Sequence, residues 1–126
     1  MQTILGNELR KKRTEAKQSL RRTASFIGCT APYLHRIEAG ASAPTDIIFL
    51  RKLAVALMLN DIEQAKFIEY AYESQRVIRL PRETSAEVLR TINRAARNLE
   101  KLENEDLQMI EQILNNACQK WKEQKI

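Results

Sequence analysis

Few side chains in this 126-residue chain are spaced for covalent or metal chemistry. The two cysteines, Cys29 and Cys118, lie far apart, and His35 is the single histidine. A zinc site needs about four ligands at close spacing, so no metal and no cofactor is expected. Both thiols read as small apolar fillers in a reducing compartment. There is no glycine-rich phosphate loop and no nucleophile set beside a histidine, so the chain is expected not to be an enzyme. The group with the most pointed chemistry is the Arg36 guanidinium in the run Ala31-Pro32-Tyr33-Leu34-His35-Arg36. Its fork of donors fits two acceptors at once, as on the edge of a guanine.

Such a side chain is useful only if rigid elements present it. The apolar spacing predicts seven helices and no strand. The first covers 3–17, with Ile4, Leu5, Leu9 and Ala16 inward and Lys11, Lys12 and Lys17 outward. Ser19 opens a short second helix over 20–27, closed by Gly28, the residue type favoured where a helix ends left-handed. Thr30 caps a third to 39, with Pro32 in its first turn where a missing N–H is harmless. Thr45 caps a fourth to 59, carrying Ile47, Leu50, Leu53, Ala54 and Leu57. Asn60 and Glu63 form a capping box for a fifth to 73, and Thr84 with Glu87 a second box for a sixth to 101. Asn104 or Glu103 caps the last, which frays near Trp121.

Within this series, residues 20–38 stand out: two short helices joined by Gly28-Cys29-Thr30. A turn of that length crosses two helices steeply. Ala24, Ile27, Cys29, Leu34 and Ile37 lock the pair, which leaves Ala31, Pro32, His35 and Arg36 pointing outward. A helix presented in this way fits the major groove of DNA.

Residues 4–59 resemble the helix-turn-helix family of the Cro and phage-repressor type (Xre). The matching positions are Leu9, Arg13, Ala24, Gly28, Leu34, Ile37, Glu38, Gly40, Pro44, Leu50, Leu53, Ala54 and Leu57. The resemblance implies an ion pair between Arg13 and Glu38 that fixes the first helix against the third. It implies base reading by Ala31, Pro32 and Arg36. It also implies phosphate contacts by Ser19, Arg21 and the loop at Ala41 and Ser42, through the dipole of the second helix and backbone N–H groups; Arg22, Tyr33 and His35 are further candidates for phosphate contact. Two positions depart from the family pattern. Lys17-Gln18 stand where glycine is common, and Thr23 stands where leucine is usual, which implies an altered first turn and lighter packing between helices two and three.

Charge distribution agrees with a polyanion at one end. Residues 1–59 hold ten Lys/Arg against four Asp/Glu, whereas residues 60–126 hold eleven against twelve. The back half carries two apolar stripes, one with Ile92 and Leu99, the other with Leu107, Ile110, Ile113, Leu114 and Trp121. The two helices are expected to pair antiparallel and to need a further partner, such as a second copy. Phe67, Tyr70 and Tyr72 are expected to fill the seam between the two halves. Arg90, Arg94, Arg97 and Lys101 form a basic stripe expected to pair with Glu87, Glu105 or Glu111. No run of about 18 uncharged apolar residues occurs, and the N-terminus lacks the order of a secretion signal. The expectation is therefore an all-α protein of the cytoplasm and nucleoid, with no membrane contact. A five-helix lambda-repressor-like DNA-binding domain over 1–73 precedes an α-helical C-terminal extension over 74–126. It acts as a homodimeric repressor on double-stranded DNA. The alternative is an antitoxin or anti-activator that grips a protein partner with its C-terminal helices.

Overall fold

The structure, a computed structural model, describes residues 2–124. It is all-helical, with no strand among the described residues. The helices are α1 (Ile4–Glu15), α2 (Leu20–Ile27), α3 (Ala31–Glu38), α4 (Ile47–Ala56), α5 (Asp61–Glu73), α6 (Ala86–Arg97) and α7 (Asn104–Gln124), with a short 3₁₀ turn at Leu99–Lys101. The chain divides into two compact units, Met1–Ile78 and Arg79–Ile126.

In the first unit five helices close around one core. Leu5 and Leu9 of α1 meet Leu34 and Ile37 of α3, Leu50 and Leu53 of α4, and Phe67 and Ala71 of α5, all fully buried. Phe67 therefore belongs to this core, and Tyr70 packs against it, whereas Tyr72 is exposed. Two other expected core residues, Ile4 and Ile47, sit in the first turns of α1 and α4 and face outward.

The helix starts follow the sequence closely, because short polar side chains satisfy the first free N–H groups. Thr3 accepts from the Gly6 N–H at 2.9 Å, Ser19 from Arg22, and Thr30 from Tyr33. The fourth helix is capped one residue later than expected, by Asp46, whose carboxylate accepts from the Ile48 N–H at 3.0 Å. The capping box of α5 is complete, and Glu63 does more than cap. One carboxylate oxygen accepts from the Asn60 N–H at 3.0 Å, and the other takes the Lys12 ammonium at 3.0 Å. Lys12, expected on the outer face, thus ties α1 to α5. The Asn60 N–H and then Lys12 hold the Glu63 carboxyl below its usual range.

Lys17, at the position where the resemblance leads glycine to be expected, takes a left-handed backbone, φ 56°. A side chain there costs roughly 1–2 kcal/mol relative to the right-handed region. Lys17→Gly is expected to raise stability by about 0.5–1 kcal/mol, the larger chain entropy of glycine offsetting part of the relief. Chemical denaturation checks this; an unchanged or lower midpoint would show that the turn is unstrained. Thr23, the other departure, is fully buried. Its hydroxyl donates to Gln18 Oε1 at 2.7 Å, and Gln18 Nε2 donates to the Ala56 carbonyl at 2.9 Å. The lighter packing expected at Thr23 is replaced by a hydrogen-bonded link from α2 through Gln18 to the end of α4.

The second unit differs from expectation. Helices α6 and α7 do not pack along one another, and neither has a buried residue. Ile92, Leu99, Leu107, Ile110, Ile113, Leu114 and Trp121 are all exposed. Helical spacing of apolar residues marks a face that can be buried; it does not say what buries it. The second capping box does not form either: Ser85, not Thr84, caps α6 by accepting from the Val88 N–H. Among the described residues the α6 arginines make no ion pair with the acids expected to meet them.

Candidate nucleic-acid interface

The third helix is only eight residues long, far too short to be stable alone in water. Its position is set by α1 and α2. Toward α2, the fully buried Leu34 and Ile37 share the core with the buried Ala24 and Ile27. Gly28 closes α2 at φ 73°, a conformation that glycine adopts without strain, so the chain can reverse into Thr30.

Toward α1, two features fix α3. The Arg13 Nε donates to Glu38 Oε2 at 2.6 Å and its terminal nitrogen to Glu38 Oε1 at 3.1 Å. A third donor of the same guanidinium reaches the Gln18 carbonyl at 2.7 Å. Arg13 is held above its usual pKa, first by the hydrogen bond to Glu38. The Glu38 side chain retains 7 % exposure and that of Arg13 16 %, so the pair is largely withdrawn from water. About two helical turns away along α1, Gly6 lies directly against the end of α3. A β-carbon there would stand 2.8 Å from the Glu38 carbonyl oxygen and closer still to that of Ile37. Gly6 was not singled out by sequence. The signal available was an isolated glycine inside a helix, which often marks a close approach of backbones.

With one face locked, α3 leaves Pro32, His35 and Arg36 exposed. Ala31 and Tyr33 are half-buried and pack against the core. The Tyr33 ring meets Phe49 edge-on at 5.7 Å. Of the residues named as base readers, Pro32 and Arg36 thus have free surface, and Ala31 has only part of its own. The loop after α3 is more committed than expected. The N–H groups of Ala41 and Ser42 both donate to the Arg36 carbonyl, at 2.9 and 3.3 Å. They close the end of α3, so the loop offers no free amide at those two positions. Gln75 and Arg76 brace the loop through the Ala43 and Gly40 carbonyls, at 2.8 and 3.1 Å. At the start of α2, Ser19 takes only the Arg22 amide. The Leu20 and Arg21 amides have no acceptor inside a helix. Arg21 is exposed, while the Arg22 guanidinium lies 5.6 Å from the centre of the Phe26 ring.

Two short helices crossed over a left-handed glycine, with the second clamped from behind and its outer face free, make a presentation device for α3. A family model described as a helix-turn-helix domain matches residues 4–67, just over half of the chain. The chain belongs to the helix-turn-helix domain family. No curated protein and no solved structure matches it. The helix-turn-helix match takes in all of α1–α4 and the first half of α5, and so includes both residues of the Arg13–Glu38 clamp. Membership supports DNA as a partner of this chain. Among the described residues no three or more metal-ligating side chains gather, and no helix is long and apolar enough to cross a membrane.

Proposed function

We propose that this protein is a sequence-specific regulator of transcription, a homodimeric repressor of the Cro and phage-repressor type. The observation that carries the reading is α3: Arg36, His35 and Pro32 stand free on one face while Arg13 and Glu38 hold the other. Arg36 supplies base discrimination, worth about 1–3 kcal/mol on a guanine. Pro32, with Ala31 beside it, offers apolar contact to a thymine methyl. Ser19, Arg21 and the first amides of α2 take phosphates, which set register without carrying sequence. Ser42 contributes through its hydroxyl and not its amide. The basic balance of residues 1–59 supports the same assignment.

Dimerisation rests on the exposed apolar stripes of the last two helices. Two copies set α3 into successive major grooves, about 34 Å apart. The test is selection from a random duplex library at about 150 mM salt, where purely electrostatic binding is weakened. An enriched inverted repeat with half-sites about ten base pairs apart supports the reading. Retention of all sequences alike sinks it. The same exposed stripes favour a second reading, a protein partner gripped by α6 and α7 as in an antitoxin or anti-activator. In that case Ile110→Glu removes function while Arg36→Ala leaves it intact.

A further inference from the structure

Four of the large apolar side chains that the first unit exposes gather in one place. Phe26, Ile48, Val55 and Met58 are each at least 60 % exposed, and all four line one groove between α2 and α4. Its volume is about 1200 Å³, enough for several side chains of an inserted helix. Four cations stand on its walls, Lys17, Arg22, Arg51 and Lys52, and no acid does. No residue of α3 lines it, so an occupant leaves the DNA-facing helix free. A patch of this kind marks an interaction site.

The matching chemistry lies in the first half of α7. Leu107, Ile110 and Leu114 repeat at three and four residues and are exposed. Glu105, Asp106 and Glu111 flank them, and no Lys or Arg occurs between Lys101 and Lys120. We propose that the α2–α4 groove seats this acidic, apolar-striped half of α7 from a second copy of the chain. An amphipathic helix laid in an apolar groove buries both unpartnered surfaces. The opposed charges steer and register it. The inference rests on the dimeric reading above and gives that dimer its contact surface.

Charge reversal on the full chain tests it, read by sedimentation equilibrium over a concentration series. Arg51→Glu/Lys52→Glu touches neither the core nor the proposed DNA contacts. It is expected to weaken dimerisation about tenfold or more, since like charges then face each other. Glu105→Lys/Asp106→Lys/Glu111→Lys should do the same. Both sets in one chain should restore the dimer to near its original strength. A dimer indifferent to the groove reversal but lost on Leu114→Glu, or on Arg90→Glu/Arg94→Glu, would overturn the inference, while an inverted repeat from the duplex selection would still uphold the dimeric regulator. A chain that stays monomeric at every concentration overturns it as well, and failure to select an inverted repeat then removes the dimeric reading with it.

Discussion

Gly6→Ala is expected to destabilise the first unit by at least about 2 kcal/mol, a fall of roughly 8–16 °C in melting temperature for a domain of this size. The sign is not that of an ordinary helix position. Elsewhere in a helix, alanine in place of glycine is favourable by about 1 kcal/mol. Here the added carbon meets two carbonyl oxygens at the end of α3, Ile37 and Glu38. Both are backbone atoms and cannot turn aside as a flexible side chain would. Relief requires α1 to lift from α3, which stretches the Arg13–Glu38 pair seven residues further along the same face of α1. Asn7→Ala, at an exposed neighbour on α1, is the control and should change stability by a few tenths of a kcal/mol at most. A higher melting temperature for Gly6→Ala would show that α1 does not press on α3.

The largest loss is expected from Glu38→Ala, about 3–5 kcal/mol. Removing the carboxylate leaves the Arg13 guanidinium largely withdrawn from water with two of its hydrogen bonds gone. The bond to the Gln18 carbonyl remains and compensates little, because it carries no countercharge. The pair itself contributes far less than this, since bringing both charges out of water costs nearly what their attraction returns. Arg13→Met/Glu38→Leu should therefore recover most of the loss seen in the single variant. Denaturant titration of both variants gives the answer. A double variant as unstable as Glu38→Ala would mean that geometry, not an unpaired charge, sets the cost.

Much of this fold was legible because it is locally determined. Ser19, Thr30 and Asn60 announce helix starts by bonding the N–H group three residues on, and Gly28 announces a left-handed stop. The core face follows from helical spacing, since Leu34 and Ile37 or Leu50 and Leu53 must share a side. What could not be read depends on which surfaces meet. Gly6 shows nothing in its own neighbourhood of the two carbonyls it faces. Lys12 looks like any solvated lysine until α5 brings Glu63 to it. The amides of Ala41 and Ser42 were expected to face phosphates, yet closing α3 on the Arg36 carbonyl is a nearer use for them. Thr23 was legible only as a departure from leucine, because its partner Gln18 is placed by the left-handed turn at Lys17. In the extension, amphipathic spacing marked two apolar stripes, whose residues are exposed. It carried no information on what would cover them, and α6 and α7 do not cover each other.

The most direct test of α3 as the DNA-reading element compares the wild-type chain with Arg36→Ala on the selected duplex and on an unrelated duplex, across a salt series. Arg36 is exposed, so its removal should leave the melting temperature unchanged. A base-reading Arg36 should weaken binding to the selected duplex by 1–3 kcal/mol, about five- to 150-fold, and relax the preference at one base pair. Binding to the unrelated duplex should change little. If both duplexes lose affinity equally and the salt slope falls by about one, Arg36 meets only phosphate. If neither affinity nor base preference moves, α3 does not read DNA and the account of this helix is wrong.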